Sequence, residues 1–486
     1  MLHNKGWSST VPFYWKIIVN VQGEAFVEYI MNKTKKTSYE IDMLNGPLLG
    51  KIIIYVIPLM LSGMLQLTFN AVDLIIVGQY AGSNAMAAVG CTAALTNLMV
   101  SLFIGISAGV NVLSARYYGA NQAKDLKEVV HTAVSLSIVL GAVLVFVGLF
   151  ASRPILQLMG TPEELIDAAT IYMQLYFAGM PFLMLYNFGS AILRGVGDSR
   201  RPLYYISVAG VVNVFLNILF VRYLNMSTAG VALGTMLSQC ISSILLVRTL
   251  LKTDGIYKLI PSELKISKNK LGAMLRIGLP AGIQSCLFSF SNVILQSSIN
   301  SFGANAVAGN TAAANIDNFV YTGMNAFYQT ALTFAGQNYG AGKIKRIKKI
   351  AYQCIGLVTL FGASLGFIAL MLGPSLLKVY GASPEEIEYG LIRLGIICST
   401  YFLCGIMDTL VGIMRGLGYA ILPMFVSLTG ACLLRVIWVM TVFQAYRSLK
   451  VLYISYPVTW IVTASTHLIC LIIVYRKTVK MHSEEI

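Results

Sequence analysis

From Lys51 onward, apolar runs of about 20 residues recur between short polar turns, the length a helix rising about 1.5 Å per residue needs to cross hydrocarbon. Twelve such runs lie near 52–77, 91–114, 129–151, 169–193, 203–222 and 228–250, then 274–299, 312–337, 349–372, 389–414, 422–445 and 452–475. The eighth is the least apolar. The pattern predicts an all-α polytopic membrane protein with twelve spans.

Composition agrees, because 57% hydrophobic and 11% charged residues, with a mean hydropathy of +0.73, leave too little polar surface to cover a soluble globule. A net charge of +15 in a soluble chain would point to nucleic acid. In a membrane protein it reports topology instead, and no nucleic-acid partner is expected. Arg116, Lys124, Lys127, Arg194, Arg200, Arg201, the segment 252–270, the segment 343–349, Arg415, Arg476, Lys477 and Lys480 all fall on one side of the spans. That side is read as cytoplasmic, which puts both termini inside. The opposite loops carry Arg153, Arg222, Lys378, Arg393, Arg447 and Lys450, with acids clustered at Glu163, Glu164, Asp167, Glu385, Glu386 and Glu388. The eight cysteines sit singly in apolar segments without metal-ligand spacing, so they read as small buried hydrophobes. Residues 1–45 form an N-terminal extension. Apolar stretches too short to span precede a basic stretch that opens at Met31 like an ordinary cytoplasmic start, so residues 1–30 are expected to be dispensable or a mis-called start.

The chain repeats itself. Tyr118-Gly119-Ala120 returns as Tyr339-Gly340-Ala341, Gly82 as Gly303, Arg194-Gly195-x-Gly197 as Arg415-Gly416-x-Gly418 and Pro202 as Pro423, each displaced by 221 residues. Pro58 pairs with Pro280, and Pro162-Glu163-Glu164 with Pro384-Glu385-Glu386, displaced by 222. Two six-helix lobes, 46–251 and 271–477, are therefore expected, joined by a cytoplasmic linker 252–270 and followed by a tail 478–486. An even number of spans per lobe makes both lobes run the same way. Their pseudo-two-fold axis then lies along the membrane normal, with a cleft between two bundles that can open alternately to each side.

With these features the chain resembles the multidrug and toxic compound extrusion (MATE) family across roughly 46–477. Val72-Asp73-x4-Gly78, Gly119-Ala120 with Gly340-Ala341-Gly342, and Leu193-Arg194-Gly195-x-Gly197-Asp198 with Met414-Arg415-Gly416-x-Gly418 carry the resemblance. It implies a secondary antiporter of the cell inner membrane, without a cofactor, that exports amphipathic, cationic small molecules in exchange for protons or sodium. The partners expected are a small-molecule substrate and the lipid bilayer, with the chain monomeric. The alternatives are a lipid-linked sugar flippase of the same superfamily and, from other classes, a membrane-embedded enzyme or a channel. No convergent catalytic set at one depth and no ring of charge or filter loop speaks for the last two.

Asp73 is the sharpest candidate, because a carboxylate inside a span costs about 3 kcal/mol on insertion scales and marks function by default. It can take a proton or coordinate sodium, and it matches the family's first-span Asp. Asn213 and Asn217 share one face of the fifth span, and Thr235 lies about two turns into the sixth. All three can sit at the depth of Asp73, and the two Asn residues serve equally as interhelical hydrogen-bonding groups. In the branch of the family with an N-lobe cation site the matching motif reads Asn-x3-Asp, so Asn213 fits and Asn217 departs. With one carboxylate instead of two, sodium coordination weakens. In the second half Asp317, Asp408 and Arg435 form either an ion pair or a substrate or proton site. By the repeat, Asp408 corresponds to Asn187 and Arg435 to Val214, so this charge belongs to the second half alone. The family's C-lobe sodium site uses a Glu in the seventh span, and 274–299 hold no acid. Phe288, Phe290, Tyr321, Met324, Phe327 and Tyr328 can line a greasy cleft. His131 reads as a loop residue and His467 as packing. Gly362–Gly366 matches a nucleophile-elbow pattern, but it lies inside an apolar helix.

Overall fold

Twelve long helices carry the chain back and forth in a computed structural model that describes residues 39–484; the expectation for residues 1–30 therefore lies outside the described residues. The first lobe comprises α1 (Leu48–Tyr80), α2 (Ser83–Gly119), α3 (Ala123–Leu158), α4 (Glu163–Ala178 with Met180–Gly195), α5 (Arg200–Tyr223) and α6 (Ser227–Lys252). The second comprises α7 (Lys268–Asn300), α8 (Ala304–Gly340), α9 (Ile344–Met371), α10 (Pro384–Gly416), α11 (Ile421–Ala445) and α12 (Leu449–Glu484). Each helix matches one of the twelve apolar runs to within a residue at its ends or extends beyond it. Ten are long and apolar enough to span alone, and the two halves of α4 together make an eleventh. The twelfth is α8, whose Asn310, Asp317, Asn338 and Gln337 are buried against neighbouring helices rather than offered to lipid. The protein is a multi-pass membrane protein of two six-helix bundles.

Local chemistry explains the departures from regularity. The halves of α4 meet at 43°. Pro181, in the first turn after the break, lacks the N–H that would continue the ladder. The repeat places Phe402 at the equivalent position, and α10 runs unbroken through it. Gly82 and Gly303 turn the chain between the first two helices of each lobe with φ of 85° and 93°, a conformation in which a side chain would be strained. Two π-helical turns depart from α-helix: Ile218–Tyr223 closes α5 directly after Asn217, and Leu428–Leu433 lies within α11, ending two residues before Arg435. Such insertions shift the side-chain register of what comes next.

The lobes meet at the end that carries the basic loops. Direct contacts run from Leu98 of α2, whose carbonyl receives the Cys286 thiol of α7 at 3.7 Å, down to Gly119 at the end of α2. Along this line the helices touch backbone to backbone: a methyl on Gly105 would lie 2.2 Å from the Gly282 nitrogen, and one on Gly119 would lie 2.1 Å from the Gln337 carbonyl. The second contact has its repeat counterpart in Gly340, where a methyl would lie 1.9 Å from the Arg116 carbonyl. Between the two glycine contacts Thr333 of α8 donates to Asn111 Oδ1 of α2 at 3.0 Å.

The first helix of each lobe straddles this junction. Leu48, Ile52, Tyr55 and Val56 of α1 bury among C-lobe residues, whereas Ile76 and Val77 near its other end pack with Val221 and Val231 of the N-lobe. In return Met274 and Ile277 of α7 join the N-lobe core. The segment 253–267 lies against α3: Lys127 pairs with Glu263 at 2.8 Å, and Thr132 accepts from the Ser267 amide at 3.1 Å. Lys127 holds the Glu263 carboxyl below the usual carboxylate range. His131 belongs to this seam too. The sequence reading made it a loop residue, but it lies inside α3, buried, with Nε2 3.1 Å from the Ile260 amide.

Candidate functional site

Between the lobes lies a cavity of about 750 Å³ whose wall draws on both halves. It is closed toward the basic loops by the glycine contacts just described. Four charged residues face it: Asp73 on the N-lobe wall, and Asp408, Arg415 and Arg435 on the C-lobe wall.

On the N-lobe side the four residues singled out from sequence form one hydrogen-bonded chain. Asn217 Nδ2 donates to Asp73 Oδ1 at 2.6 Å and lies 3.4 Å from Asn213 Oδ1. Asn213 Nδ2 in turn reaches Thr235 Oγ1 at 3.4 Å. The i,i+4 spacing aligns the two Asn residues, and Gly234 lets α5 approach, since a methyl there would fall 2.1 Å from Asn217 Oδ1. That oxygen has no hydrogen-bond partner. The Asp73 carboxylate, Asn213 Oδ1 and the Thr235 hydroxyl are the hard oxygen donors of this chain, groups that suit a proton or a small cation, while Asn217 turns its Nδ2 to them and its Oδ1 toward Gly234. Tyr172 and Tyr176, stacked with ring centroids 6.2 Å apart, complete this wall.

The C-lobe differs from expectation. Neither Asp408 nor Asp317 pairs with Arg435. Asp317, 2% exposed, pairs instead with Arg393 of α10, whose Nε donates to Oδ2 at 2.9 Å while its Nη1 donates to Asn310 at 2.9 Å. Arg393, counted from sequence among the outer loop bases, sits nine residues after Pro384 and is inside the bundle. A buried carboxylate needs a counter-charge, and α10 is packed along α8 and supplies it. Asp317 thus stands behind the cavity wall rather than on it. Asp408 faces the Tyr321 hydroxyl, with Arg415 nearby. Arg435 lies with its guanidinium 4.1 Å from the centre of the Tyr456 ring and donates from Nη2 to Thr459 at 3.2 Å.

Sequence reasoning placed Arg415 among the cytoplasmic bases. It is 5% exposed and closes the cavity floor, donating to the Tyr328 hydroxyl at 2.6 Å and to Gln284 Oε1 at 2.8 Å. The two glycines that follow it in the motif, without loop polarity, were the available signal. Of the aromatic and Met residues considered for the cleft, Phe288, Tyr321 and Tyr328 line the cavity, Met324 and Phe327 are core, and Phe290 is on the outer surface. Trp460, stacked on Tyr401 at 5.2 Å and edge-on to Tyr456 at 5.5 Å, adds an aromatic shelf that sequence reasoning missed. His467 is buried as expected, 3.0 Å from Ser427 Oγ.

Comparison with known proteins matches this geometry. The MatE family profile matches residues 58–219 and 280–441, two blocks displaced by the repeat distance of 222. The chain is 30% identical over 424 residues to the probable multidrug resistance protein YoeA of Bacillus subtilis, covering 84% of this chain and 90% of that protein. It is 28% identical to the probable multidrug resistance protein YpnP of the same organism, over 81% of this chain and 88% of that one. Among solved structures, an outward-facing multidrug resistance MATE family transporter of the MOP superfamily superposes with a TM-score of 0.86, at 22% identity, covering 92% of this chain and all of that one. Twelve spans in two repeated lobes around a shared cavity, together with these matches, establish that the chain belongs to the MatE family of multidrug and toxic compound extrusion transporters.

Proposed function

We propose that the chain is a secondary antiporter of the cytoplasmic membrane that exports amphipathic, cationic small molecules in exchange for protons or sodium, with both termini cytoplasmic. The observation that carries this reading is a cavity shared by two lobes, sealed at the basic-loop end, with Asp73 in one wall. The basic loops mark the cytoplasmic side by the positive-inside rule. Sealed there, the chain stands in the state open to the outside, and an external cation can reach Asp73.

Coupling requires the two ligands to favour different states. Helix α1 supplies the lever, because Asp73 belongs to the N-lobe wall while the start of the same helix is embedded in the C-lobe core. A cation bound at Asp73 neutralises the carboxylate that attracts a cationic substrate, so substrate leaves outward as the ion enters. The return through the inward-open state restores the charge.

Efflux of a cationic dye from proteoliposomes, with proton and sodium gradients collapsed separately, tests the scheme. Asp73→Asn keeps the size and the contact with Asn217 but cannot take up an ion. It is expected to abolish gradient-driven efflux while the protein elutes as a single folded species. Undiminished driven efflux in that variant would refute the assignment.

A further inference from the structure

We infer that the C-lobe wall of the cavity holds an acidic group, a carboxylate or phosphate, of the transported molecule through Arg435, so that the substrate is a zwitterionic aromatic compound rather than a simple cation. This rests on the cavity being the substrate path, as proposed above.

The charges facing the cavity are not evenly distributed. Asp73 makes the N-lobe wall negative, whereas Arg415 and Arg435 against Asp408 leave the C-lobe wall positive by one charge. Asp408 has the Tyr321 hydroxyl beside it. The two arginines have less. Among the other buried guanidiniums in the described residues, Arg393 and Arg201 are matched with the carboxylates of Asp317 and Asp198, whereas Arg116 and Arg194, which do not line the cavity, are not. Arg415 and Arg435 form no such pair. Arg415 spends Nη1 and Nη2 on Tyr328 and Gln284. Arg435 has a single hydrogen bond, to Thr459, and its Nε has no partner although the residue is only 2% exposed. A guanidinium withdrawn from water without a counter-ion is expensive, and the cavity that Arg435 lines can bring an anion to it.

The surroundings fit an arriving acid with an attached ring. The Tyr456 ring covers one face of the guanidinium, which leaves its edge, the part that grips carboxylate or phosphate in a two-pronged fashion, for a ligand. Trp460 and Tyr401 continue the aromatic surface beside it. The π-helical turn Leu428–Leu433, ending two residues before Arg435, sets the register of α11 there. Its repeat counterpart is Val214, so the N-lobe offers no second anion site of this kind. A ligand lying across the cavity then meets Asp73 with its cationic end and Arg435 with its acidic end.

A rhodamine carrying a free carboxylate and its methyl ester share ring system and cation and differ in the acid alone. Binding of each to the full chain in detergent, read by quenching of tryptophan fluorescence, is expected to favour the acid by about tenfold, the value of one good charge-assisted contact. Arg435→Gln should erase that preference by weakening the acid while leaving the ester within about twofold, and Arg435→Lys should retain part of it. Equal affinity of the wild-type chain for acid and ester overturns the inference, whatever the variants do. So does a loss in Arg435→Gln that falls equally on both ligands, which is the signature of a structural arginine. Efflux is read separately. Intact acid preference with efflux indifferent to every gradient would sink the antiport reading and leave this one standing.

Discussion

Asn217 is the residue at which this chain departs most informatively from the family pattern it otherwise follows. As an amide it donates to Asp73 at 2.6 Å, and a carboxylate at that position could not. Replacing it by Asp sets two acids at hydrogen-bond distance, which can coexist only by sharing a proton or by binding a cation between them. Asn217→Asp is therefore expected to make dye efflux rise with sodium at fixed pH, where the wild-type chain responds little. A flat sodium response in the variant would show that the cluster cannot hold the ion. Single residues also mark where the sequence was legible and where it was not. Asp73, Asn213, Asn217 and Thr235 were readable because a polar group deep in an apolar run has few reasons to be there, and i,i+4 spacing fixes a shared face. Arg393 and Arg415 were misread for the opposite reason. Both lie within a few turns of the ends of a span, where an arginine that snorkels to the interface and one that turns inward look alike in sequence.

At the level of helices, α8 and α10 form the rigid part of the C-lobe, held by the Asp317 to Arg393 pair and by Asn310, which accepts from both Arg393 and Tyr453. The number of spans followed from apolar length, and the weakness of the eighth signal is explained by position, since α8 buries Asn310, Gln337 and Asn338 against protein and turns Asn318, Asn325 and Gln329 to the cavity. The bend in α4 and the two π-helical turns left no such trace, because they depend on one proline and on tertiary packing. The ion pair makes a quantitative expectation possible. Arg393→Met strands a buried carboxylate and should cost about 3–5 kcal/mol of stability, whereas adding Asp317→Leu to it should recover most of that loss by leaving an apolar contact. Unfolding of the single and double variants in detergent measures both. A double variant as unstable as the single one would mean that the pair does more than neutralise charge.

Across the whole molecule, the repeat explains why one set of contacts closes the cavity toward the basic loops. Gly119 against Gln337 and Gly340 against Arg116 are the same contact seen from the two lobes, and both depend on the absence of a side chain. A transporter that alternates must break these contacts to open inward, so their strength sets how long it stays open outward. A bulky residue at either glycine forces the lobes apart at this end without touching the ionisable residues of the cavity. Gly119→Val and Gly340→Val should then bias the population toward the inward-open state to a similar degree. Ser114, fully buried beside the seal, can report it as Ser114→Cys in a chain otherwise lacking cysteine. A thiol reagent that cannot cross the bilayer, applied from the basic-loop side, should label this position faster in both valine variants than in the parent. Acceleration in only one of them would mean that the two halves do not share the closure equally. Unchanged labelling in both would place the closure elsewhere along α2 and α7, nearer Gly105 and Gly282.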